Sequence, residues 1–267
     1  MHVGSAAAGL LVSLRSLQPA PAAVAEELSS GGGWGGRTLR VGTGEYGSIS
    51  EAVASARDGD VVLLEGGGVT YDERIVLDKA VTLRGQGADS TAVSHSTKSP
   101  YEATVTLACS GARLESVRVL HASKSVAGNY ACYVADGCVN VTIADCVVSS
   151  KTGSGIGVEG GVADILGTTV RDCKNNGILL TSDLGETRGG GRVKGCTVSG
   201  CGLDGIALRR TFGAVVEDTR VSDARGVGVS VRFCDAATRV DRATVQVADC
   251  AGGAFVYEDS AGARSEP

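Results

Sequence analysis

Four groups of residues in this chain have the types and spacing to do chemistry. The first is Arg209 and Arg232, which share a repeat position with Glu159, Thr181 and Glu258. Two guanidiniums on neighbouring parallel strands, about 4.8 Å apart at the backbone, could grip a carboxylate or phosphate bidentately. A solvated face, with Glu159 and Glu258 offsetting the arginines, uses the same residues. The second group is an acidic series, Asp172, Asp223 and Asp249, with Gly200 in the remaining place. Only Asp223 and Asp249 fall in adjacent repeats, as an acid–base pair requires. Aspartates also open turns by bonding nearby backbone, and Asp145 and Asp218 fit that role as well. The third group, Cys173, Cys201 and Cys250, stands on a line, whereas zinc needs four converging ligands. A ladder of buried thiols is expected there, and no metal site is assigned. Tyr130 and Tyr133 form the fourth group, a platform on which a sugar ring could stack. Ligand contact is therefore expected at Glu159, Arg209, Arg232, Tyr130 and Tyr133. No residue is assigned a catalytic role, and no cofactor is implied.

These positions acquire meaning from a repeat. Its anchors are Gly155-Ile156, Gly177-Ile178, Gly205-Ile206, Gly228-Val229 and Ala254-Phe255, spaced 22, 28, 23 and 26 residues apart. Eight residues before each anchor's second member stands a valine: Val148, Val170, Val198, Val221 and Val247. A constant unit with variable loops marks a stacked repeat. The alignment defines columns. One runs Ile143, Ile165, Val193, Val216 and Arg242; another runs Cys146, Thr168, Cys196, Thr219 and Val245. A third runs Lys151, Cys173, Cys201, Ala224 and Cys250, and the last Val158, Leu180, Leu208, Val231 and Tyr257. Apolar residues alternate with polar ones, so each unit has one inward and one outward face. No unit can bury its inward face alone, and stacking is the remedy. Three short strands per unit without crossover helices predict an all-β fold, a single-stranded right-handed parallel β-helix. Arg242 breaks its column, which predicts an irregular final turn.

Upstream of the repeat, Thr38–Gly42 reads as a strand. Ser48 and Glu51 form a capping box ahead of a helix that presents Ile49, Ala52, Val53 and Ala56 on one face and stops at Asp58-Gly59. That helix would cover the open first edge. Val61–Leu64, Arg74–Leu77, Val81–Leu83, Thr91–Val93, Thr104–Leu107 and Leu114–Val119 continue as short strands. The β-helix is expected over 37–259, with 260–267 a disordered tail. Residues 1–36 read as a flexible leader or targeting segment: Val3–Leu14 is apolar and Ala23-Val24-Ala25 resembles a cleavage site, but Arg15 follows the apolar run.

Composition narrows the function classes. The 267 residues include 40 Gly and only 4% aromatics, so small aliphatics must fill the interior. A formal charge of −5 offers no basic footprint for nucleic acid, and no run is long enough to span a membrane. Nine cysteines, an odd number without a C-x-x-C, point to reduced, buried thiols and an intracellular setting.

The stretch Arg37–Gly87 resembles the opening of pectin-lyase-like right-handed β-helix proteins in its Ile-x-x-Ala-Val helix, its Asp-Gly-Asp turn, its Gly-x-x-Tyr-x-Glu step and its V-T-L-x-G close. Later units resemble parallel β-helix repeats of carbohydrate-active enzymes and of F-box-type β-helix adaptors. The resemblance spans about residues 37–257 and implies the fold; that fold hosts enzymes and binding modules alike. Enzyme signatures of the superfamily are missing. None of His2, His95 and His121 is flanked by glycine, Arg192-Val193-Lys194 lacks the paired aspartates that would make it a polygalacturonase-like step, and Asp-Pro-His-Asp is absent. The expectation is a monomeric, non-catalytic scaffold that recognises a protein segment or an acidic polysaccharide. The alternative is a polysaccharide lyase or glycoside hydrolase with an unfamiliar site around Asp223, Asp249 and the arginines.

Overall fold

Each short apolar strand of this chain finds its hydrogen-bond partner one repeat away rather than in the next strand of its own repeat. A computed structural model describes residues 36–124, 129–183 and 188–259 and the strand at 262–264. Apart from Gly36, the expected leader lies outside the described residues. Among those described, the strands gather into three sheets that wrap one interior as a right-handed parallel β-helix of about eight turns. Sheet A runs from Thr38–Val41 to Arg239–Val240, sheet B from Val69–Asp72 to Gln246–Ala248, and sheet C from Ile75–Leu77 to Phe255–Asp259. Beyond it, Gly262–Arg264 pairs antiparallel with Phe255–Asp259.

Most of the columns read from the repeat are hydrogen-bonded neighbours. Val148, Val170, Val198, Val221 and Val247 align across sheet B. Val158, Leu180, Leu208, Val231 and Tyr257 align across sheet C. Within the opening rung, Ile143, Cys146, Val148, Ile156 and Val158 are all buried. Burying one such aliphatic side chain contributes about 1.5–3 kcal/mol, and the stack repeats that gain at every turn.

The glycine of the anchor is explained by this packing. A Cβ on Gly177 would sit 2.4 Å from Val198 Cγ1, 2.6 Å from the Gly205 carbonyl oxygen and 2.8 Å from Cys201 Sγ. Gly155 meets Val170 and Cys173 in the same way. The valine and thiol columns of the next turn occupy the space a side chain would need.

Several expectations are corrected. Sheet A pairs Val216 with Val240, so Val240 continues that column and Arg242 does not interrupt it. The thiol column begins with Ser150 rather than Lys151: the Lys174 amide bonds the Ser150 carbonyl as the Gly202 amide bonds that of Cys173. Ser150 is buried and Lys151 exposed, as the cost of burying an ammonium requires. Leu114–Val119 is two strands, Arg113–Glu115 and Arg118–Ser123, because Ser116 at φ 56° turns the chain. Val69–Asp72 is a further strand, between the expected strands at Val61–Leu64 and Arg74–Leu77. The helix occupies Ile49–Ser55, with the Ser48 side chain accepting from the Glu51 amide, and its Ile49, Ala52 and Val53 enter the core.

The cysteines are all free, and six of the nine are buried. Burial pushes Cys146 up to about 12 and Cys196 up to about 11. The neighbouring Cys173 thiol, together with burial, raises Cys201 further.

The inward assignment is open to a direct check. Val198→Asp places an unpaired carboxylate in the interior at a cost on the order of 5 kcal/mol, comparable to the stability of a whole domain. Urea unfolding should show the variant unfolded or nearly so in buffer; a midpoint close to the parent's would place Val198 outside the core.

Candidate functional site

Alternation along sheet C turns every second side chain outward, and parallel register lines these side chains into two columns. One column contains Tyr133, Gly157, Leu179, Ala207 and Ser230. The other contains Glu159, Thr181, Arg209, Arg232 and Glu258, as the repeat predicts. The structure thus brings the five expected ligand-contact residues onto one face.

Their arrangement differs from a set of free side chains. Tyr130 and Tyr133 stack on each other, with ring centroids 5.5 Å apart and planes 23° from parallel. Both hydroxyls donate to Glu159, Tyr130 to Oε1 at 2.5 Å and Tyr133 to Oε2 at 3.4 Å. Tyr130 is buried over Gly157, where an added Cβ would lie 2.3 Å from its ring. Tyr133, half-buried, is the ring left to meet a ligand. Burial, followed by the Glu159 charge and hydrogen bond, pushes Tyr133 up to about 12, and burial and the same carboxylate raise Tyr130 still more. Both phenols stay protonated donors at neutral pH.

The arginines have carboxylate partners of their own. Arg209 Nε lies 3.4 Å and Arg210 Nη1 3.2 Å from the two oxygens of Asp183. Arg232 bridges Asp204, at 3.2 Å, and Glu258, at 3.3 Å. Asp204 is only 9% exposed. It accepts from the Val227 amide at 2.9 Å, from Ser230 Oγ at 2.7 Å and from Arg232. Carboxylates and guanidiniums thus share this face, with Arg209 and Arg232 adjacent in their column and Asp183, Asp204 and Glu258 paired with the arginines. An anionic group arriving here would share guanidinium donors already half-engaged, and a neutral polyol would find donors and acceptors side by side.

Sequence reasoning missed Asp183 and Asp204. Asp204 carried a signal, since it directly precedes the Gly205 anchor at the start of an outward face. Asp183 stands in the Ser182–Gly191 insertion, where no repeat position exists to align it. The acidic series has another explanation. Asp172, Asp223 and Asp249 have φ of 54–55°, and Gly200, in the same column, has φ +64°. Asp145 and Asp218, at 52° and 49°, share their column with Gly167 and Gly195. The position demands left-handed backbone, which aspartate tolerates better than most residues and glycine best. Asp223 and Asp249 stand between sheets B and C, at the opposite end of the sheet C strands from Arg209 and Arg232. Asp223 instead lines a cavity of about 300 Å³ with Cys173, Lys174, Cys201 and Arg225. Among the described residues, no group of three or more His, Cys, Asp or Glu is placed to hold a metal ion.

Residues 105–265 match a family described as the right handed beta helix region. The chain belongs to this right-handed β-helix family. Solved structures with the β-helix fold include pectate lyase Pel9A, with a TM-score of 0.57 and 14% identity over 80% of this chain and 62% of that one. A pectin methylesterase mutant in complex with hexasaccharide IV superposes with a TM-score of 0.50 and 13% identity, covering 73% and 78% of the two chains. Pectin methylesterase from Yersinia enterocolitica gives 0.50 and 13%, covering 70% and 71%. At such identities the likeness is one of fold. No curated protein matches the sequence.

The Asp204 network makes its own prediction. Asp204→Ala removes the acceptor of a buried hydroxyl, an amide and a guanidinium, at a cost of about 2–4 kcal/mol. Denaturant titration should show that loss, whereas Asp223→Ala should cost less than about 1 kcal/mol as a turn substitution. Equal effects would contradict the distinction between the two aspartates.

Proposed function

We propose that the outward face of sheet C recognises an acidic glycan and that the protein is a non-catalytic β-helix scaffold. One observation carries the reading: the partly buried Tyr133 ring stands on the same face as a column in which Glu159, Thr181, Arg209, Arg232 and Glu258 line up on successive turns. An aromatic face suits the apolar side of a sugar ring, planar charged groups suit its hydroxyls, and Arg209 and Arg232 suit its carboxylates. A protein segment is the weaker candidate, because this face offers little exposed apolar surface to anchor one. The free, mostly buried thiols favour an intracellular setting.

The non-catalytic assignment rests on the state of the carboxylates. A general base must stand within reach of its proton, and a carboxylate held by several protein donors is suited to fixing those donors in place. Here Glu159 is engaged by two phenols, Asp183 by two arginines, and Asp204 by a hydroxyl, an amide and a guanidinium. A second reading, a carbohydrate-active enzyme working on this face, draws support from the fold shared with a pectate lyase and pectin methylesterases.

Calorimetric titration with oligogalacturonates, with uncharged oligosaccharides as controls, tests the proposal. Acidic oligomers should bind, and Arg209→Ala and Arg232→Ala should each weaken binding about tenfold, the equivalent of one charge-assisted hydrogen bond. Unchanged affinity in both variants would overturn it. Release of unsaturated or reducing ends, abolished by Asp204→Asn, would replace the scaffold reading with the enzymatic one.

A further inference from the structure

The turn between sheets B and C carries one inward column that packing alone does not explain. It runs Ser150, Cys173, Cys201, Ala224 and Cys250. Amide bonds from Lys174 to Ser150, Gly202 to Cys173, Arg225 to Cys201 and Ala251 to Ala224 set these residues on consecutive turns. Serine and alanine occupy the position alongside cysteine, so filling the space does not require sulfur. Within the column, only Cys173 and Cys201 are thiols on adjacent turns; Cys250 lies beyond Ala224, two turns from Cys201.

The two sulfurs are held alike. Cys173 Sγ donates to the Arg171 carbonyl and Cys201 Sγ to the Ser199 carbonyl, each at 3.6 Å. Cys173 Sγ lies 3.0 Å from the place of a Cβ on Gly155, and Cys201 Sγ 2.8 Å from that on Gly177. With matching surroundings on each turn, the sulfurs are offset by the strand spacing, about 4.8 Å. Stacking in register puts no other residue between them. Metal–sulfur bonds run about 2.3 Å, so an ion midway between the two would be at bonding distance from both. The line of thiols that denies zinc its tetrahedron is the geometry of linear two-coordination.

Access and charge fit such an ion. The thiols are 4% and 1% exposed, and the cavity of about 300 Å³ that they line also has Lys174, Gly200, Gly202, Asp223 and Arg225 in its wall. Lys174 and Arg225 outnumber Asp223 there and offset the single negative charge of two thiolates around a monovalent cation. Contact with Cys173, then burial, raises Cys201, so the pair stays protonated until a cation replaces both protons.

We propose that Cys173 and Cys201 bind one copper(I) ion in linear coordination. Copper(I) is soft, favours thiolate and is stable with two ligands. On binding, two S–H bonds break, two Cu–S bonds form and both protons leave to solvent, with no electron transferred. The site is separate from the sheet C face, and either assignment can fail without the other.

Anaerobic titration of the full chain with copper(I), in competition with bicinchoninate, tests this. The chain should hold one copper against the competitor, and X-ray absorption should show two sulfur neighbours in a linear arrangement. Because two protons are displaced, affinity should fall about a hundredfold for each unit of decreasing pH, against about tenfold for a single thiol. Cys173→Ser and Cys201→Ser should each abolish retention, and Cys250→Ser should leave it unchanged. Should a serine variant fail to fold, Cys201→Ala, matching Ala224, takes its place, and X-ray absorption of the parent decides in any case. The proposal is overturned if the parent holds no copper, if the metal has three or more ligands, or if a folded variant lacking either thiol binds as the parent does.

Discussion

Register between successive turns is the constraint on which everything else in this protein depends. A single turn carries a handful of valines, leucines and isoleucines on one face and cannot bury them. Placed above an identical turn, each inward side chain covers its counterpart, and every backbone amide meets a carbonyl one turn away. A slip of one residue would turn the whole inward set to solvent. Tight spacing explains the glycine before each anchor, since the valine and the thiol of the following turn fill the volume of a Cβ at Gly155 and Gly177. It also explains why cysteine, serine and alanine alternate in one column: each is small enough to stack beside that glycine.

Function inherits the same geometry. Inward register determines outward register, so Glu159, Thr181, Arg209, Arg232 and Glu258 form a line without any local sequence motif. The line is polar and almost neutral because Asp183, Asp204 and Glu258 accompany the arginines. The more exposed pairs of Arg209 and Arg210 with Asp183 contribute little to stability. Their value to a ligand is positional, because they hold planar donors and acceptors at fixed places on a rigid sheet. Tyr130 and Glu159 make the tyrosine pair rigid in the same way, giving up one aromatic face to hold the other in place.

The fold was legible because repetition averages out local ambiguity. Five copies of a short strand define columns that one copy could not, and Val198 or Leu208 reads as buried from alignment alone. Errors arose where repetition failed. Arg242 was assigned to a column that Val240 occupies, because the last loop differs in length from its predecessors. Lys151 falls in the place of Ser150 because the first unit carries one extra residue before its anchor. The strand at Val69–Asp72 precedes the regular repeats and had no copies to support it. In the candidate site, the outward line could be read from the anchors, but the partners of its side chains could not. Tyr130 stacking on Tyr133 and Asp183 reaching two arginines both come from loops or from contacts between turns, where identity and spacing do not specify direction.

The most direct measurement is a crystal structure of the protein with a bound oligogalacturonate. The account predicts that the oligosaccharide lies along the outward face of sheet C, with a sugar ring against Tyr133 and carboxylates on Arg209 and Arg232. An oligosaccharide seated elsewhere, or crossing that face without touching either arginine, would contradict it.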